Sequence, residues 1–394
     1  MRITSLLVYG LLFIAVYFVF FIAERTASSS KQKRLIFLGV LVLAVFAGIR
    51  NISVGYDTER TILFCFTPST RVSSFSGLGL LIARKEIFYT YFSFLLSKIS
   101  KNHFVFLFSL QFITAGAVAV SAYKERKNVS ISLCMLIYML MYYLSSFNII
   151  RQNAAAAVLL LAFVEYRNKS FVKATIFAVL CCLLHNSGVV GLFIIIAIIV
   201  FTRFKNQVIK CTAVVLAGAL IVIIIINWQT FANWLIGEGY ISSSYAGYID
   251  IFSGNATSYS SKYVTITNRT YVLGVFRIIE ATILLLLGKS YSPENINFNS
   301  FAKYAIAISV VIYSWFVFGF NSYLGDRLTI FLDYFKIIYI SMFVPAVYAR
   351  KDKTNRLVLR IPKGMISVVV GYYFIYGFTL YIYYGYGGVL PFRL

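Results

Sequence analysis

Long apolar runs separated by short polar clusters organise this chain from end to end. The first run, Ile3 to Ala23, is followed by Glu24 and Arg25 without a small-residue cleavage pattern. It is too long for the apolar part of a signal peptide and predicts a retained helix. Further runs lie at about 35–49, 104–122, 131–147, 152–166, 171–184, 188–202, 211–227, 270–288, 304–320, 328–348 and 364–384. Roughly 20 residues of helix cross a hydrocarbon core of about 30 Å. The pattern therefore predicts an all-α fold, a polytopic integral membrane helical bundle of about twelve spans. Residues 1–394 read as a single membrane-embedded domain. The runs at 152–166, 171–184 and 188–202 are short, which predicts tilted, kinked or re-entrant helices. Two longer polar stretches, about 50–103 and 228–269, predict outer loops, and loops of that length commonly carry function.

The polar clusters assign a side to each end. Arg25, Lys31, Lys33 and Arg34 follow the first run; Lys124, Arg126 and Lys127 the third; Arg167, Lys169 and Lys173 the fifth; Arg203, Lys205 and Lys210 the seventh. Lys289 and Lys303 follow the ninth, and a run from Arg350 to Lys363 the eleventh. Cytoplasmic loops collect Lys and Arg, so every odd-numbered exit is expected to be cytoplasmic, with both termini and the two long loops outside.

Composition agrees with a bilayer as the solvent. The chain is 60% hydrophobic and 12% charged, where a soluble domain is about 25% charged. That excludes a soluble enzyme or a disulfide scaffold. The net charge of +23 would point to nucleic acid in a soluble protein. Here the topology clusters absorb it, and no nucleic-acid partner is expected. Cys65, Cys134, Cys181, Cys182 and Cys211 have no metal-ligand spacing, and two histidines build no histidine-rich site. No metal and no cofactor are expected.

Charges beside apolar runs cost about 2.5–3.5 kcal/mol at a helix centre on insertion scales, so each needs a reason. Arg50, Arg151, His185 and Arg327 all fall at outward ends of runs, and Asp57 lies seven residues after Arg50. Arg277 and Glu280 are one helical turn apart, as are Asp333 and Lys336; both spacings predict structural ion pairs.

In order along the chain stand IRNISVGYDT, with Arg50, Gly55 and Asp57; FNIIRQNAA, with Phe147, Asn148, Arg151, Gln152 and Ala154; and VLCCLLHNSG, with His185. This pattern resembles the EpsG-like branch of the Wzy polysaccharide polymerases. The resemblance is good over about 45–200; beyond that, only Arg327 and the aromatic helix with Tyr334 and Phe335 look family-like. Where the family often has Glu-Pro-Gly in its first outer loop, Glu86 is followed here by Ile87 and Phe88.

The resemblance implies a multi-pass enzyme of the bacterial cytoplasmic (inner) membrane, with its active site facing the periplasm or exterior. It implies joining of undecaprenyl-pyrophosphate-linked oligosaccharide repeat units, with release of undecaprenyl pyrophosphate. The substrate, the lipid bilayer, a chain-length regulator and a flippase are the expected partners. Arg holds phosphate oxygens with a planar, permanently charged fork. Arg151, Arg50 and Arg327, with Gln152 donating its amide, are the expected pyrophosphate contacts. His185 is the expected base for the acceptor hydroxyl, with Asp57 as the competing carboxylate and a proton donor to phosphate as the other role for His185. Asn148 and the outer-loop residues Tyr240, Tyr245 and Tyr248 are the expected sugar contacts, because aromatic faces pack on sugar C–H faces. A lipid-linked oligosaccharide flippase, an O-antigen ligase and a metal-dependent glycosyltransferase share the composition and are the competing readings.

Overall fold

A computed structural model describes residues 2–78, 87–203, 268–290, 296–319, 322–349 and 356–380, with isolated positions elsewhere. The described residues form helices joined by short turns, without strands. In bilayer this is the expected solution, since each helix satisfies its own backbone polar groups. The helices are α1 (Arg2–Arg25), α2 (Ser29–Ile49), α3 (Tyr56–Thr61), α4 (Thr67–Arg71), α5 (Ile87–Ile99), α6 (His103–Lys124), α7 (Ile131–Tyr138), α8 (Ile150–Arg167), α9 (Phe171–Leu184) and α10 (Gly188–Arg203). Then come α11 (Asn268–Ser290), α12 (Ile296–Gly319), α13 (Ser322–Asp333), α14 (Phe335–Ala349) and α15 (Arg356–Tyr373).

Among the described residues α1, α2 and α6 are long and apolar enough to cross a membrane by themselves. Shorter apolar helices include α9, α10 and the stretches 131–143, 300–314 and 364–379. The expected span at 211–227 lies outside the described residues. Residues such as Leu7, Leu11, Ile14, Phe18 and Ile22 of α1 stay exposed, the apolar face a bilayer would cover.

Polar residues start several helices where the sequence allows it. Ser28, Asn102 and Ser130 accept the orphan N–H groups of Lys31, Phe104 and Leu133 and so cap α2, α6 and α7. Helix α8 is the hub. Its run Ala154–Ala157 is fully buried, and small side chains let α6 and α9 approach its backbone closely.

The stretch 50–103, expected as a loop, is largely helical. Helices α3 and α4 flank a π-helical segment Ile62–Phe66, and α5 follows. Ile62, Cys65, Phe66, Tyr89 and Leu96 form a small core against Phe106, Leu107 and Leu110 of α6 and Ile150 of α8. The sequence pattern hid this because the run is short and interrupted by polar residues, whereas its apolar side chains converge only in space.

The last part of the bundle also departs from the simple reading. The run 328–348 is interrupted at Tyr334, which separates α13 from α14. The Asp333 carbonyl at the break accepts the Tyr142 hydroxyl at 2.9 Å, and the Tyr334 hydroxyl donates to Asn153 Oδ1 at 2.8 Å. The Tyr142 hydroxyl thus satisfies a backbone carbonyl at the interruption, as a membrane interior requires. The Asp333–Lys336 ion pair is present at 3.0 Å. The expected Arg277–Glu280 pair is not: Arg277 turns to Asp326 and Asp333, and Glu280 to Lys336. A one-turn spacing permits pairing, but partners on facing helices here hold each group more completely.

Two polar ends result. At one end Glu24 accepts from Ser130 and Ser132, Lys124 pairs with Glu165 at 2.9 Å, and Arg167 pairs with Glu125 at 3.1 Å. These follow α1, α6 and α8, whose exits the basic clusters marked as one side. The motif residues gather at the other end.

Candidate functional site

The two N-terminal motifs fold onto each other. Gly55 has φ +99°, and a Cβ there would collide with the Phe147 carbonyl oxygen, so only glycine fits both the backbone and the approach. Two residues on, the Asp57 N–H donates to Asn148 Oδ1 at 3.0 Å, and the Thr58 hydroxyl donates to the Phe147 carbonyl. Beneath this junction lies Arg50, 1% exposed. Its guanidinium stacks on the Phe147 ring at 4.1 Å and donates to the Ala47 carbonyl and, at 3.5 Å, to Thr58 Oγ1. Arg50 therefore joins the end of α2 to both motifs from inside. Asn148 likewise spends its side-chain oxygen on the Asp57 backbone.

Above this junction the partly exposed groups collect. Asp57 pairs with Arg327 of α13, Oδ2 to Nη2, at 3.1 Å, with side chains 34% and 22% exposed. Arg151 stands in the first turn of α8 and stacks over the Tyr89 ring, delivered by α5, at 4.8 Å. The N-terminus of α8 adds its partial positive charge here. Gln152 is buried; its amide donates to Ser187 Oγ at 3.2 Å and to the Arg327 carbonyl, so both of its N–H bonds tie α8 to its neighbours.

His185 ends α9, and a three-residue turn leads into α10. Its Nδ1 lies 3.1 Å from the Ser187 N–H and 2.7 Å from Ser187 Oγ. A backbone N–H can only donate, so Nδ1 is the acceptor and the proton of the neutral ring sits on Nε2. Burial, followed by the charges of Arg151 and Arg327, holds the imidazole well below its usual range, at about 3. Helix α10 then packs tightly on α13 at Gly191, where a Cβ would come within 2.5 Å of the Phe331 ring. That contact brings the His185 turn beside the helix that carries Arg327.

Arg151, Gln152, His185, Arg327 and Asp57 are thus brought together at one end of the bundle, with Asn148 and Arg50 supporting them. Tyr240, Tyr245 and Tyr248 lie outside the described residues, as does Glu86. Sequence reasoning missed Thr58, Tyr89 and Ser187. Thr58 and Ser187 stand inside the recognised motifs, in VGYDT and HNSG. Tyr89 has no such signal, since only the folding of α5 over α8 places it. Among the described residues there is no group of three or more His, Cys, Asp or Glu arranged to hold a metal ion.

An all-helical membrane bundle with guanidinium, imidazole and carboxylate groups gathered at one end defines the class: a polytopic membrane protein with a polar, cation-rich site. A family model described as the EpsG family matches residues 33–394, nearly the whole chain, and the protein belongs to that family. Membership supports, in general terms, a polysaccharide-polymerase-type function of glycosyltransferase-like character. No curated protein and no solved structure matches the chain.

Proposed function

We propose that the protein polymerises lipid-linked oligosaccharide repeat units at the outer face of the bacterial inner membrane, transferring the growing chain from undecaprenyl pyrophosphate to the non-reducing end of a new unit. The observation that carries this reading is the convergence of Arg151 and Arg327 on His185. Gln152, next to Arg151, donates to Ser187 Oγ in the His185 turn and to the Arg327 carbonyl, which ties the three together although they lie as much as 176 positions apart (327 − 151). Two permanent cations held together with a neutral imidazole suit a diphosphate leaving group. At about 4 Å and an effective dielectric near 20, each cation–phosphate pair contributes roughly 4 kcal/mol before desolvation. Charge that builds on the departing oxygen strengthens that attraction, which is electrostatic catalysis.

The roles divide as follows. Arg151 and Arg327 hold the diphosphate oxygens. Arg50 and Gln152 sit below them, and their part is to fix the two motifs and the Arg327 backbone. His185 presents Nε2–H, so it donates a hydrogen bond to the diphosphate or to the oxygen bridging it to the sugar. Its Nδ1 lone pair is already engaged by Ser187, and for that reason the base is assigned to Asp57. The acceptor hydroxyl passes its proton to the Asp57 carboxylate as its oxygen bonds to the anomeric carbon. The bond from that carbon to the diphosphate oxygen breaks, and its electron pair leaves with undecaprenyl pyrophosphate. A single displacement of this kind inverts the anomeric centre. Binding of the diphosphate also draws Arg327 away from Asp57, which frees the carboxylate as the donor arrives.

The deciding experiment incubates the purified protein with lipid-linked repeat unit and resolves the products on a gel. A ladder of chain lengths is the expected result. Unchanged substrate, under conditions where the protein binds the lipid, overturns the reading.

A further inference from the structure

Among the described residues, a dense set of mostly buried charges lies outside this site, between α11, α13 and α14. Arg277 of α11 donates from Nη2 to Asp326 at 2.6 Å and from Nη1 to Thr329 at 3.2 Å and Asp333 at 3.1 Å. Its guanidinium rests on the Tyr313 ring at 3.8 Å. Lys336 bridges Asp333 and Glu280, at 3.0 and 3.1 Å, and Ser309 and Tyr373 donate to Asp333 and Glu280. Ionisable groups within a membrane protein are costly and usually functional. The proposed reaction uses none of these residues.

The spacing of the contacts shows what one guanidinium does. Positions 326, 329 and 333 of α13 are separated by three and four residues, so they form one face of that helix. Arg277 holds all three and thereby fixes the rotation of α13 about its axis. Arg327 follows Asp326 and projects about 100° around the helix from it, toward Asp57, while its carbonyl accepts from Gln152 of α8. A rotation of about 30° would carry a side-chain tip lying about 6 Å from the axis through roughly 3 Å, enough to break a bidentate phosphate contact.

We propose that Arg277 is a positioning residue that sets the direction of Arg327 and so the affinity of the site for the donor diphosphate. This deepens the polymerase reading and rests on it through Arg327. Lysine at 277 keeps the buried positive charge but has no fork to span three acceptors.

The test is a double-mutant cycle on detergent-purified full-length protein, with calorimetric binding of farnesyl diphosphate as the readout and unfolding temperature measured alongside. Arg277→Lys should weaken binding about tenfold while the unfolding temperature stays close to wild type. Arg327→Gln should weaken it at least as much. In the Arg327→Gln background, Arg277→Lys should add less than a twofold loss, because its effect passes through Arg327. Independent, multiplying losses would overturn the positioning role and leave the polymerase reading standing. Equal binding by wild type and Arg327→Gln would remove the diphosphate role of Arg327, and this inference with it.

Discussion

Asp57 and Arg327, 270 positions apart in sequence, meet side chain to side chain at 3.1 Å. The pair joins α3, early in the chain, to α13, near its end, and both side chains remain partly open. Such an exposed pair contributes no more than about 1 kcal/mol to stability. Its importance is therefore sought in chemistry. Asp57→Asn should leave the unfolding temperature within a few degrees of wild type and cut turnover about 10²–10⁴-fold, the range of a positioned base. Polymer formation at near wild-type rate would remove Asp57 from that role.

Arg151→Ala should abolish long polymer while the protein still inserts in the membrane, and Arg151→Lys should restore only part of the activity, since an ammonium cannot bind two phosphate oxygens as a fork. Chain-length ladders from cells carrying each variant, with immunoblots of membranes, check this. A normal ladder from the alanine variant counts against the phosphate role.

His185 separates a donor from a base. A glutamine amide can supply an N–H near the position of Nε2, so His185→Gln should keep a measurable share of turnover, whereas His185→Ala should lose at least tenfold. Equal loss in both variants, measured with purified enzyme, would favour the base.

The same imidazole predicts a pH effect on stability. Its folded-state value, about 3, lies below the unfolded value near 6.5. Above about pH 6.5 the ring is neutral in both states and costs nothing. As pH falls from there toward 3, the unfolded chain takes up a proton that the folded chain refuses, so stability declines. His185→Gln should flatten that decline between pH 7 and 5 in thermal unfolding scans. An unchanged slope would show that other groups cause it.

Gly55→Ala should destabilise the motif junction. The sparsely populated backbone conformation alone costs an alanine about 1–3 kcal/mol, and the Phe147 carbonyl stands where the methyl group must go. Thermal unfolding and polymer yield should fall together; a neutral result would mean that the segment relaxes away from Phe147.

The helical membrane class was legible in the sequence because bilayer burial is written in local composition. The apolar stretch of α1 or of α6 carries it by itself. That Arg50, Arg151, His185 and Arg327 share one end was legible for a similar reason: basic clusters follow α1, α6 and α8, so these four could be assigned to the opposite end of the bundle. Residue roles were not. Arg50 and Arg151 look alike as outward arginines, yet one is sealed beneath Phe147 and the other stands over Tyr89. His185 offers two ring nitrogens in the sequence, and only the fold shows that Nδ1 accepts from the Ser187 N–H.

What the sequence determined alone is the helical membrane class and the order of the motifs, since these follow from short-range pattern. Only the tertiary structure decided which buried charge meets which. Arg277 passes over Glu280, one turn away, for Asp326 and Asp333, and Asp57 finds Arg327 across most of the chain. Charges and hydrogen bonds act over a few ångströms in space, and helix packing brings residues that close without regard to their distance along the chain.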